Sequence, residues 1–507
     1  MISSGLVAHI TGVRALAVIA FLFGVAVALA YRPFSQTVRG DCAIYDYIAQ
    51  SILRGQMPYR DVIDPKAPAS MYFSAMAMAI GKSIGTGDVI AVRWLHIWMA
   101  GLLSAITFLV AEAYLRSRIA ALIALLVPLL TENLVLMMNK GTQPKLPMVV
   151  FGMLALLLVA KDRPFWAGLC SMMSCLCWQP GLMFAGASFL IFSRYFTSWR
   201  DWRAAKVIVG ACVPLAAVLL YFYSRGALSD LWSWTITYSY SVFRPEGQKP
   251  LGQALNQLWK ISHREFGPDL ALVGLSLIGF AMYTADRVRA RLKEGFRSID
   301  LFRDAILLPP AVYFIFCLID FQGGPDLIPF LPFIGLFAGW FLVEMGRVIA
   351  SNRYVKRSGS KIGWNSLAPT IAMSAILVLI LIRTTGYKPP KWDLREQGRA
   401  ISQIAAYLGP NDRIYVHGMA EILVLLNRPN LNRYISLDSG ADDYIAAKKA
   451  GGFKDVIDEI ESATPKLVAI SRLRNVRHSK ELEQWVEGHY DELEIPGYET
   501  IYIRKAE

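Results

Sequence analysis

The sequence predicts an α-helical protein that crosses a membrane many times and ends in a small α/β domain. Three observations lead to this fold class. The 507 residues are 55% hydrophobic and only 18% charged, with mean hydropathy +0.39, which is too apolar for an ordinary soluble protein. The apolar residues come in runs of roughly 17 to 25, long enough to cross a hydrocarbon core as helices. These runs stop near residue 386, and a polar tail that alternates helix and strand patterns follows.

The apolar runs give about eleven candidate transmembrane helices. They cover residues 9–31, 90–114, 118–132, 146–160, 164–178, 180–196, 205–223, 268–286, 305–320, 326–346 and 368–385. The first run has Arg14 near its start and no small-residue cleavage site after it, which predicts a retained membrane helix rather than a removed signal peptide. The step Trp178-Gln179-Pro180 predicts a hairpin between two short spans, because proline ends or kinks a helix.

The basic residues orient these spans. With a cytoplasmic N-terminus, every short basic loop falls on the inner side, as the positive-inside rule requires. The outer side then receives the loop 32–89, the short loop 133–145, the loop 224–267 and the whole tail. Because the net charge of +13 is concentrated in the inner loops, the sequence does not favour nucleic acid as a partner.

The tail predicts a small α/β layer domain, because helix and strand patterns alternate along it. Helices are expected over 394–408, 420–426, 455–463 and 479–490, and strands over 413–417, 434–437, 466–471 and 500–504. The tail carries no Gly-x-Gly-x-x-Gly or Gly-Lys-Ser/Thr loop, so nucleotide binding is not supported. The chain is thus expected to divide into a transmembrane domain, residues 1–386, and an outer domain, residues 387–507.

The outer loop 32–89 carries the first candidate chemistry. Asp41 follows the first span by about ten residues, so its carboxylate is expected just above the headgroup plane, where it can accept a proton from an attacking hydroxyl or amine. A helix N-cap is the alternative role for Asp41, since a helical pattern begins at Cys42. Lys66 lies between two prolines that restrict its backbone, and its ammonium suits a phosphate. Snorkelling to lipid headgroups is the alternative role for Lys66.

Later outer segments add weaker candidates. Arg244 follows an aromatic segment containing Trp232 and Trp234, and its guanidinium fork suits a phosphate. The aromatic residues themselves are typical of an interfacial belt. Glu132 lies at the outer end of the third span, where a carboxylate either finds a partner or simply ends its helix in water. The glycines in the turn Gln322–Asp326 allow a lipid or sugar to approach the backbone closely.

Short motifs along the chain together indicate a family. They are Gly40-Asp41, Tyr45, Ala49, Gly55, Pro58-Tyr59-Arg60-Asp61, Lys66-Ala67-Pro68, Arg93, the segment 322–332, and the tail segments 412–418 and 465–470. This series resembles the GT-C superfamily of polytopic glycosyltransferases. The resemblance is to the branch that contains protein O-mannosyltransferases, the aminoarabinose transferases that modify lipid A, and related bacterial inner-membrane sugar transferases.

The resemblance implies an inverting enzyme that takes a sugar from a polyprenyl-phosphate carrier and passes it to an extracytoplasmic acceptor, either a lipid-linked glycan, lipopolysaccharide or a protein. It implies Asp41 as general base, with Lys66 and Arg244 at the departing lipid phosphate. Further candidate substrate contacts are Tyr45, Asp46, Tyr59, Asp61, Asp64, Arg93, Glu132 and Gln322. It also implies a bacterial inner membrane, with the tail in the periplasm for acceptor recognition or scaffolding.

Two departures and two alternatives accompany this interpretation. Ala67 replaces the second proline of the family's Lys-Pro-Pro-like step, and Asp46 competes with Asp41 as the essential acid. No clustered ligand set is apparent, so no metal ion is expected to be required for catalysis, and no cofactor is expected. A lipid-linked sugar flippase is one alternative, and it should show related halves with charges near the span centres. A non-catalytic assembly subunit with the same fold is the other, and in it Asp41 could be replaced freely.

Overall fold

The computed structural model describes residues 4–193, 202–243, 248–294, 301–351, 364–471 and 473–505. Helices make up the part of the chain before the tail. They are α1 (Ser4–Ala30), α2 (Asp41–Leu53), α3 (Ala69–Ser83), α4 (Asp88–Leu115), α5 (Arg118–Leu130), α6 (Glu132–Asn139), α7 (Lys145–Ala160), α8 (Pro164–Cys177), α9 (Leu182–Ser193), α10 (Arg203–Ser224), α11 (Leu228–Trp232), a π-helix (Ser233–Phe243), α12 (Leu251–Phe266), α13 (Leu270–Glu294), α14 (Leu308–Ile319), α15 (Leu331–Ser351) and α16 (Trp364–Gly386).

Each predicted span overlaps one of these helices, and residues 194–196 of the predicted span 180–196 lie outside the described residues. Within the described residues, seven helices are long and apolar enough to cross a membrane, and an eighth is added if α5 and α6, bent by 76° at their junction, count as one span. The helices α7, α8 and α9 are apolar but shorter. The predicted hairpin is present, because Trp178 is extended and a 3-10 turn, Gln179–Gly181, separates α8 from α9.

Glycines let two of these helices touch backbone to backbone. A Cβ atom at Gly168 of α8 would lie 2.0 Å from the carbonyl oxygen of Val207 in α10, and one at Gly210 of α10 would lie 2.0 Å from the carbonyl oxygen of Phe165. Small residues at such contacts are typical of helix pairs in membranes, where close packing replaces the hydrophobic effect as the driving force.

The first loop folds into two helices, the first of which lies where the helical pattern from Cys42 predicts it. Both α2 and α3 lie within it, and α2 is buried from Cys42 to Ser51. The prediction that Asp41 is the N-cap of α2 is wrong, because Gly40 occupies that position with φ 65° and Asp41 is the first helical residue. A positive φ of this kind is readily adopted by glycine. The turn at Gly40 therefore fixes where Asp41 emerges.

The tail is an α/β layer, as predicted. Its helices are α17 (Leu394–Ala406), α18 (Ala420–Leu426), α19 (Ala441–Ala446), α20 (Phe453–Ser462) and α21 (Ser479–His489), and its strands are β1 (Ile414–His417), β2 (Leu467–Ile470), β3 (Tyr490–Glu492) and β4 (Ile501–Arg504). The sheet order is β1-β2-β4-β3. The strands β1 and β2 are parallel, whereas β4 is antiparallel to both of its neighbours.

One predicted strand, residues 434–437, is wrong. The segment is buried at Tyr434, Ile435 and Leu437, but it forms no ladder with β1. The side-chain amide of Asn430 takes its place, because Asn430 Oδ1 accepts the N–H of Val416 at 2.8 Å and its Nδ2 donates to the Val416 carbonyl at 3.1 Å. A side chain that satisfies the backbone of an edge strand removes the need for a further strand.

The tail packs on the first loop and shares a hydrophobic core with it. Apolar residues of α2 lie in one buried cluster with residues of α17, α18, β1 and β2. Polar contacts tie the two parts together as well. The side chain of Gln397 accepts from Val38 N–H at 2.9 Å and donates to the Val38 carbonyl at 2.8 Å, and the Asn430 N–H donates to the hydroxyl of Tyr47 at 2.7 Å. Tail residues are therefore held next to Asp41.

Candidate active site

Asp41 and Lys66 line the same small cavity, of about 120 Å³. The cavity lies where the start of α2, the loop after Val62, the π-helix and the tail meet. Its other lining residues are Ile44, Tyr45, Ile63, Asp64, Pro65, Trp234, Tyr238, Phe243, Gln322, Ser436, Asp438, Ser439 and Ala441. Three carboxyl groups, one ammonium and several hydroxyls therefore surround a space large enough for a few water molecules or part of a polar ligand.

The backbone around Lys66 is fixed from three sides. The Lys66 N–H donates to Asp64 Oδ1 at 2.7 Å, and the hydroxyl of Tyr59 donates to the Lys66 carbonyl at 2.6 Å. On the neighbouring peptide unit, Gln179 Nε2 donates to the carbonyl of Pro65 at 2.8 Å. These bonds hold the segment in place even though Ala67 stands where the related motif has a proline. Lys66 is thus presented by a rigid backbone.

A larger apolar groove lies next to this cavity. Both spaces are lined by Pro65, Lys66, Phe243 and Gln322, and the Lys66 ammonium lies 4.8 Å from the centroid of the Phe243 ring. The groove has a volume of about 530 Å³ and runs between α8, α9, α14 and the π-helix. Its apolar walls include Leu182, Met183, Leu190, Leu308, Val312 and Phe316. Lys66 therefore lies at the junction of a polar and an apolar space.

The carboxyl groups of the cavity influence one another. Burial is the main reason that the pKa of Asp64 rises from 3.8 to about 7. The neighbouring Asp41 and Asp438 add to this rise in pKa, whereas Lys66 opposes it. A carboxyl group with a pKa near neutrality changes charge within the physiological range. The carboxyl group of Asp64 is therefore partly protonated at neutral pH.

Two of the predicted site residues are buried away from the cavity. Asp46 is fully buried, and its Oδ1 accepts from the hydroxyl of Thr142 at 2.5 Å and from the Thr142 N–H at 3.1 Å. Burial raises the pKa of Asp46 to about 6. The guanidinium of Arg93 is also buried, and it donates to the carbonyls of Lys140, Phe34 and Gln36 at 3.1, 3.3 and 2.5 Å. Arg93, a residue of α4, thus holds the segment that follows α1 against α4. It does not line the cavity.

The remaining predicted residues either stabilise the loop around Lys66 or do not line the cavity. Tyr59 is buried and supports the Lys66 carbonyl. Asp61 accepts the N–H of Met57 at 2.7 Å and pairs with Arg60, so it braces its own loop. Glu132 is the first residue of α6, at the bend that follows α5. Arg244 lies outside the described residues.

The structure adds site residues that sequence reasoning missed. Ser436, Asp438 and Ser439 enter the cavity from the tail, and nothing in their local pattern distinguishes them from an ordinary turn. The second addition is an ion pair on the groove wall, in which Lys145 Nζ lies 3.1 Å from Asp326 Oδ1. The Lys145 ammonium also lies 4.6 Å from the centroid of a tryptophan ring. Lys145 at the end of the loop 133–145 and Asp326 at the end of the turn Gln322–Asp326 were the available signal for this pair.

Comparison with solved structures gives close overall matches at low sequence identity. The chain is similar to ArnT from Cupriavidus metallidurans bound to undecaprenyl phosphate, with 13% identity, a TM-score of 0.60, and coverage of 97% of this chain and 98% of that chain. The apo state of the same ArnT gives a TM-score of 0.59 at 13% identity, with coverage of 99% and 98%. No family model and no curated protein sequence matches the chain.

A third match is the archaeal oligosaccharyltransferase AglB from Archaeoglobus fulgidus, in complex with an inhibitory peptide and a dolichol-phosphate. It has 14% identity and a TM-score of 0.54, and the match covers 97% of this chain and 74% of that chain. Sequence identities this low carry information about the fold only. The arrangement of membrane helices, first loop and α/β tail in this chain is the fold seen in ArnT and AglB.

Proposed function

We propose that the chain is a membrane glycosyltransferase that moves a sugar from a polyprenyl-phosphate carrier to an extracytoplasmic acceptor, with inversion. One observation carries the proposal. The cavity lined by Asp41 lies next to an apolar groove between membrane helices, and Lys66 lines both spaces. A donor molecule with a polar head and a long apolar chain needs a polar space and an apolar space side by side.

The comparison structures support the donor class. ArnT was solved with undecaprenyl phosphate and AglB with a dolichol-phosphate, and both ligands combine an isoprenoid chain with a phosphate. In this chain the groove supplies apolar walls for the isoprenoid. Lys66 supplies a positive charge where the groove meets the cavity, which is where the phosphate of such a donor would lie.

The chemistry follows from the two charged side chains. The acceptor hydroxyl attacks the anomeric carbon of the sugar, and Asp41 takes the hydroxyl proton. The bond between that carbon and the phosphate oxygen breaks, and the lipid phosphate leaves with the bonding electrons. Lys66 stabilises the negative charge that accumulates on the leaving group, and it does so from a fixed backbone, so little reorganisation is needed. Attack opposite the leaving group inverts the anomeric centre.

The same proposal includes the orientation and the division of the chain. Residues 1–386 form the transmembrane catalytic domain in a bacterial inner membrane, with the N-terminus in the cytoplasm. Residues 387–507 form a periplasmic domain. The basic residues of the short loops support this orientation. The contribution of Ser436, Asp438 and Ser439 to the cavity supports a role for the tail in acceptor recognition.

The test is sugar transfer in right-side-out membrane vesicles, with the groove either open or filled. Gly186 lines the groove on an exposed face of α9, and no atom lies within 4 Å of the place of its missing Cβ. Gly186→Trp should lower transfer at least tenfold, because the indole occupies the space of the carrier chain. Gly274→Trp is the matched control, since Gly274 is an exposed glycine of α13 with equally open surroundings.

Three results would contradict the proposal. One is equal transfer by the two glycine variants. Another is acceptor labelling that occurs only from the cytoplasmic side. The third is movement of the lipid-linked sugar across the membrane with no transfer, which would identify a flippase instead.

The pKa of Asp64 predicts a pH dependence of donor use. Because burial raises the pKa of this carboxyl group to about 7, Asp64 is neutral at pH 6 and charged at pH 8. A new negative charge beside Lys66 repels the donor phosphate, so KM for the donor should rise roughly tenfold over this range. The same raised pKa means that the contribution of Asp64 to the free energy of unfolding falls as pH rises from about 4 to 7.

Asp64→Asn removes this titration while keeping the size of the side chain. We expect its donor KM to vary little between pH 6 and pH 8, whereas Asp458→Asn, a change on an exposed helix face of the tail, should keep the wild-type profile. The measurement is KM at fixed ionic strength over that pH range. An unchanged profile in Asp64→Asn would assign the pH dependence to another group.

A further inference from the structure

A cluster of His and Asp side chains lies in the tail, apart from the cavity lined by Asp41 and Lys66. Asp442 and Asp443 lie in the first turn of α19, and His478 directly precedes α21. One carboxylate oxygen of each aspartate and one ring nitrogen of His478 all lie within 4.8 Å of one another. Ligand atoms around a tetrahedral zinc ion lie about 3.4 Å apart. Small rotations of the three side chains would bring their ligand atoms from the observed separations to the separations around zinc.

Asp442 has one carboxylate oxygen in hydrogen bonds and a second one that could bind a cation. The residue is fully buried, and its Oδ2 accepts from the N–H of Arg477 at 2.6 Å and from the N–H of His478 at 3.1 Å. Its Oδ1 is buried without a hydrogen-bond partner among the described residues. Leaving a buried carboxylate oxygen without a partner is costly. A bound cation would remove this cost.

His478 is oriented as metal-ligating histidines usually are. Its Nδ1 lies 2.7 Å from Glu481 Oε1, and its Nε2 faces Asp443 Oδ1 at 3.2 Å. The ring also stacks on Phe453, with centroids 4.4 Å apart and planes within 10°. A carboxylate that holds one ring nitrogen fixes the tautomer and aims the other nitrogen at a metal. Two carboxylates and an imidazole favour zinc and its neighbours over calcium or magnesium, which prefer oxygen ligands alone.

We propose that Asp442, Asp443 and His478 form a binding site for a divalent transition metal ion, zinc above all, that pins α19 to the start of α21. The site is structural. An ion there replaces the contact between the His478 ring and Asp443 with metal–ligand bonds. The guanidinium of Arg477 pairs with the other carboxylate oxygen of Asp443, Oδ2.

The position of α19 gives the ion a consequence for the active site, and this part of the inference rests on the proposed function. Ala441, the first residue of α19, lines the cavity that Asp41 and Lys66 also line. The Tyr444 ring of α19 lies 5.3 Å from the ring of Trp234 in the π-helix, and the hydroxyl of Tyr238 donates to the Ser439 carbonyl at 2.9 Å. Fixing α19 therefore fixes the tail's side of the cavity.

The experiment uses the full-length protein in lipid nanodiscs. The protein is stripped with a chelator, titrated with zinc chloride, and passed through a desalting column before the bound zinc is counted by mass spectrometry. Thermal unfolding is followed in parallel. We expect one zinc ion per chain and a Tm that rises with zinc concentration, because a ligand that binds only the folded state stabilises it. Neither readout depends on sugar transfer.

Variants separate this site from other zinc-binding groups. His478→Gln should lose the stoichiometric zinc and the Tm shift. Glu481→Gln, which keeps all three ligands, should weaken zinc binding by roughly 10-fold. His489→Gln is the matched control, because His489 also pairs with a carboxylate, Glu461 at 3.2 Å, on the tail surface.

Two results would overturn the metal site. One is less than one zinc per wild-type chain with no Tm shift. The other is zinc binding that is equal in His478→Gln, Glu481→Gln and the control. If His478→Gln does not fold, Glu481→Gln decides the matter alone. Loss of zinc with unchanged transfer would leave the site in place and reject only its link to the cavity.

Discussion

Asp41→Asn is expected to lower sugar transfer by at least about 100-fold while the protein still folds and binds its donor. The reason is that an amide cannot accept the proton of the attacking hydroxyl, and a positioned general base contributes about 10² to 10⁴ in rate. Asp41 is exposed at the start of α2, and its neighbours from Cys42 onward carry the packing of that helix. The substitution keeps the size of the side chain, so little stability should be lost.

The measurement is kcat with a synthetic polyprenyl-phosphate sugar, together with Tm and donor binding. Asp458→Asn makes the same chemical change on an exposed face of α20 and should leave all three values unchanged. Full activity in Asp41→Asn would reject the base assignment. It would favour instead a non-catalytic subunit that has kept the fold.

Lys66→Ala is the second substitution with a large expected effect. It removes the ammonium at the junction of cavity and groove but leaves the backbone bonds of the segment in place, since those involve the Lys66 N–H and carbonyl. A charged hydrogen bond to phosphate contributes about 1.5 to 3 kcal/mol. We therefore expect KM for the donor to rise by about 10- to 100-fold. The value of kcat should fall as well, because the leaving group gains charge in the transition state.

Two comparisons make the Lys66 result specific. Lys66→Arg keeps the charge and should recover part of the donor affinity, whereas Lys454→Ala removes a lysine from the exposed surface of α20 and should change nothing. A donor KM that is the same in Lys66→Ala and wild type would remove Lys66 from the phosphate site. Lys66 would then be assigned to lipid headgroups, where lysines near a membrane surface commonly lie.

Local pattern was sufficient for most of the fold. The apolar helices were predictable because a helix that crosses a bilayer needs a long apolar run. Three of the eleven predicted spans, at α7, α8 and α9, are shorter helices than the prediction requires. The tail strands at 414–417 and 467–470 were predictable from short runs of β-branched and apolar residues between polar segments. The failed strand at 434–437 has the same apolar pattern. It lacks a ladder because Asn430, several residues earlier, already satisfies Val416 on the edge of β1.

The candidate site was predictable in part. Asp41 and Lys66 stood out because charged residues near a first span, one of them between prolines, are unusual on a mere connector. The family resemblance favoured Asp41 as the base, but the residues alone left Asp46 as a competitor, since both lie on the same short segment. Helix geometry turns successive side chains through about 100°, and packing then decides which face is covered. Asp46 turns inward to Thr142, whereas Asp41 remains at the cavity.

The sequence by itself determined the membrane class, the positions of the helices and the loop that bears Asp41 and Lys66, because hydropathy and turn residues act over short distances along the chain. Only the tertiary structure decided which groups share the cavity. Asp438 reaches it from the tail, and the groove exists only where α8, α9 and α14 diverge. Contacts between segments far apart in sequence depend on how whole elements pack, and no local pattern encodes that packing.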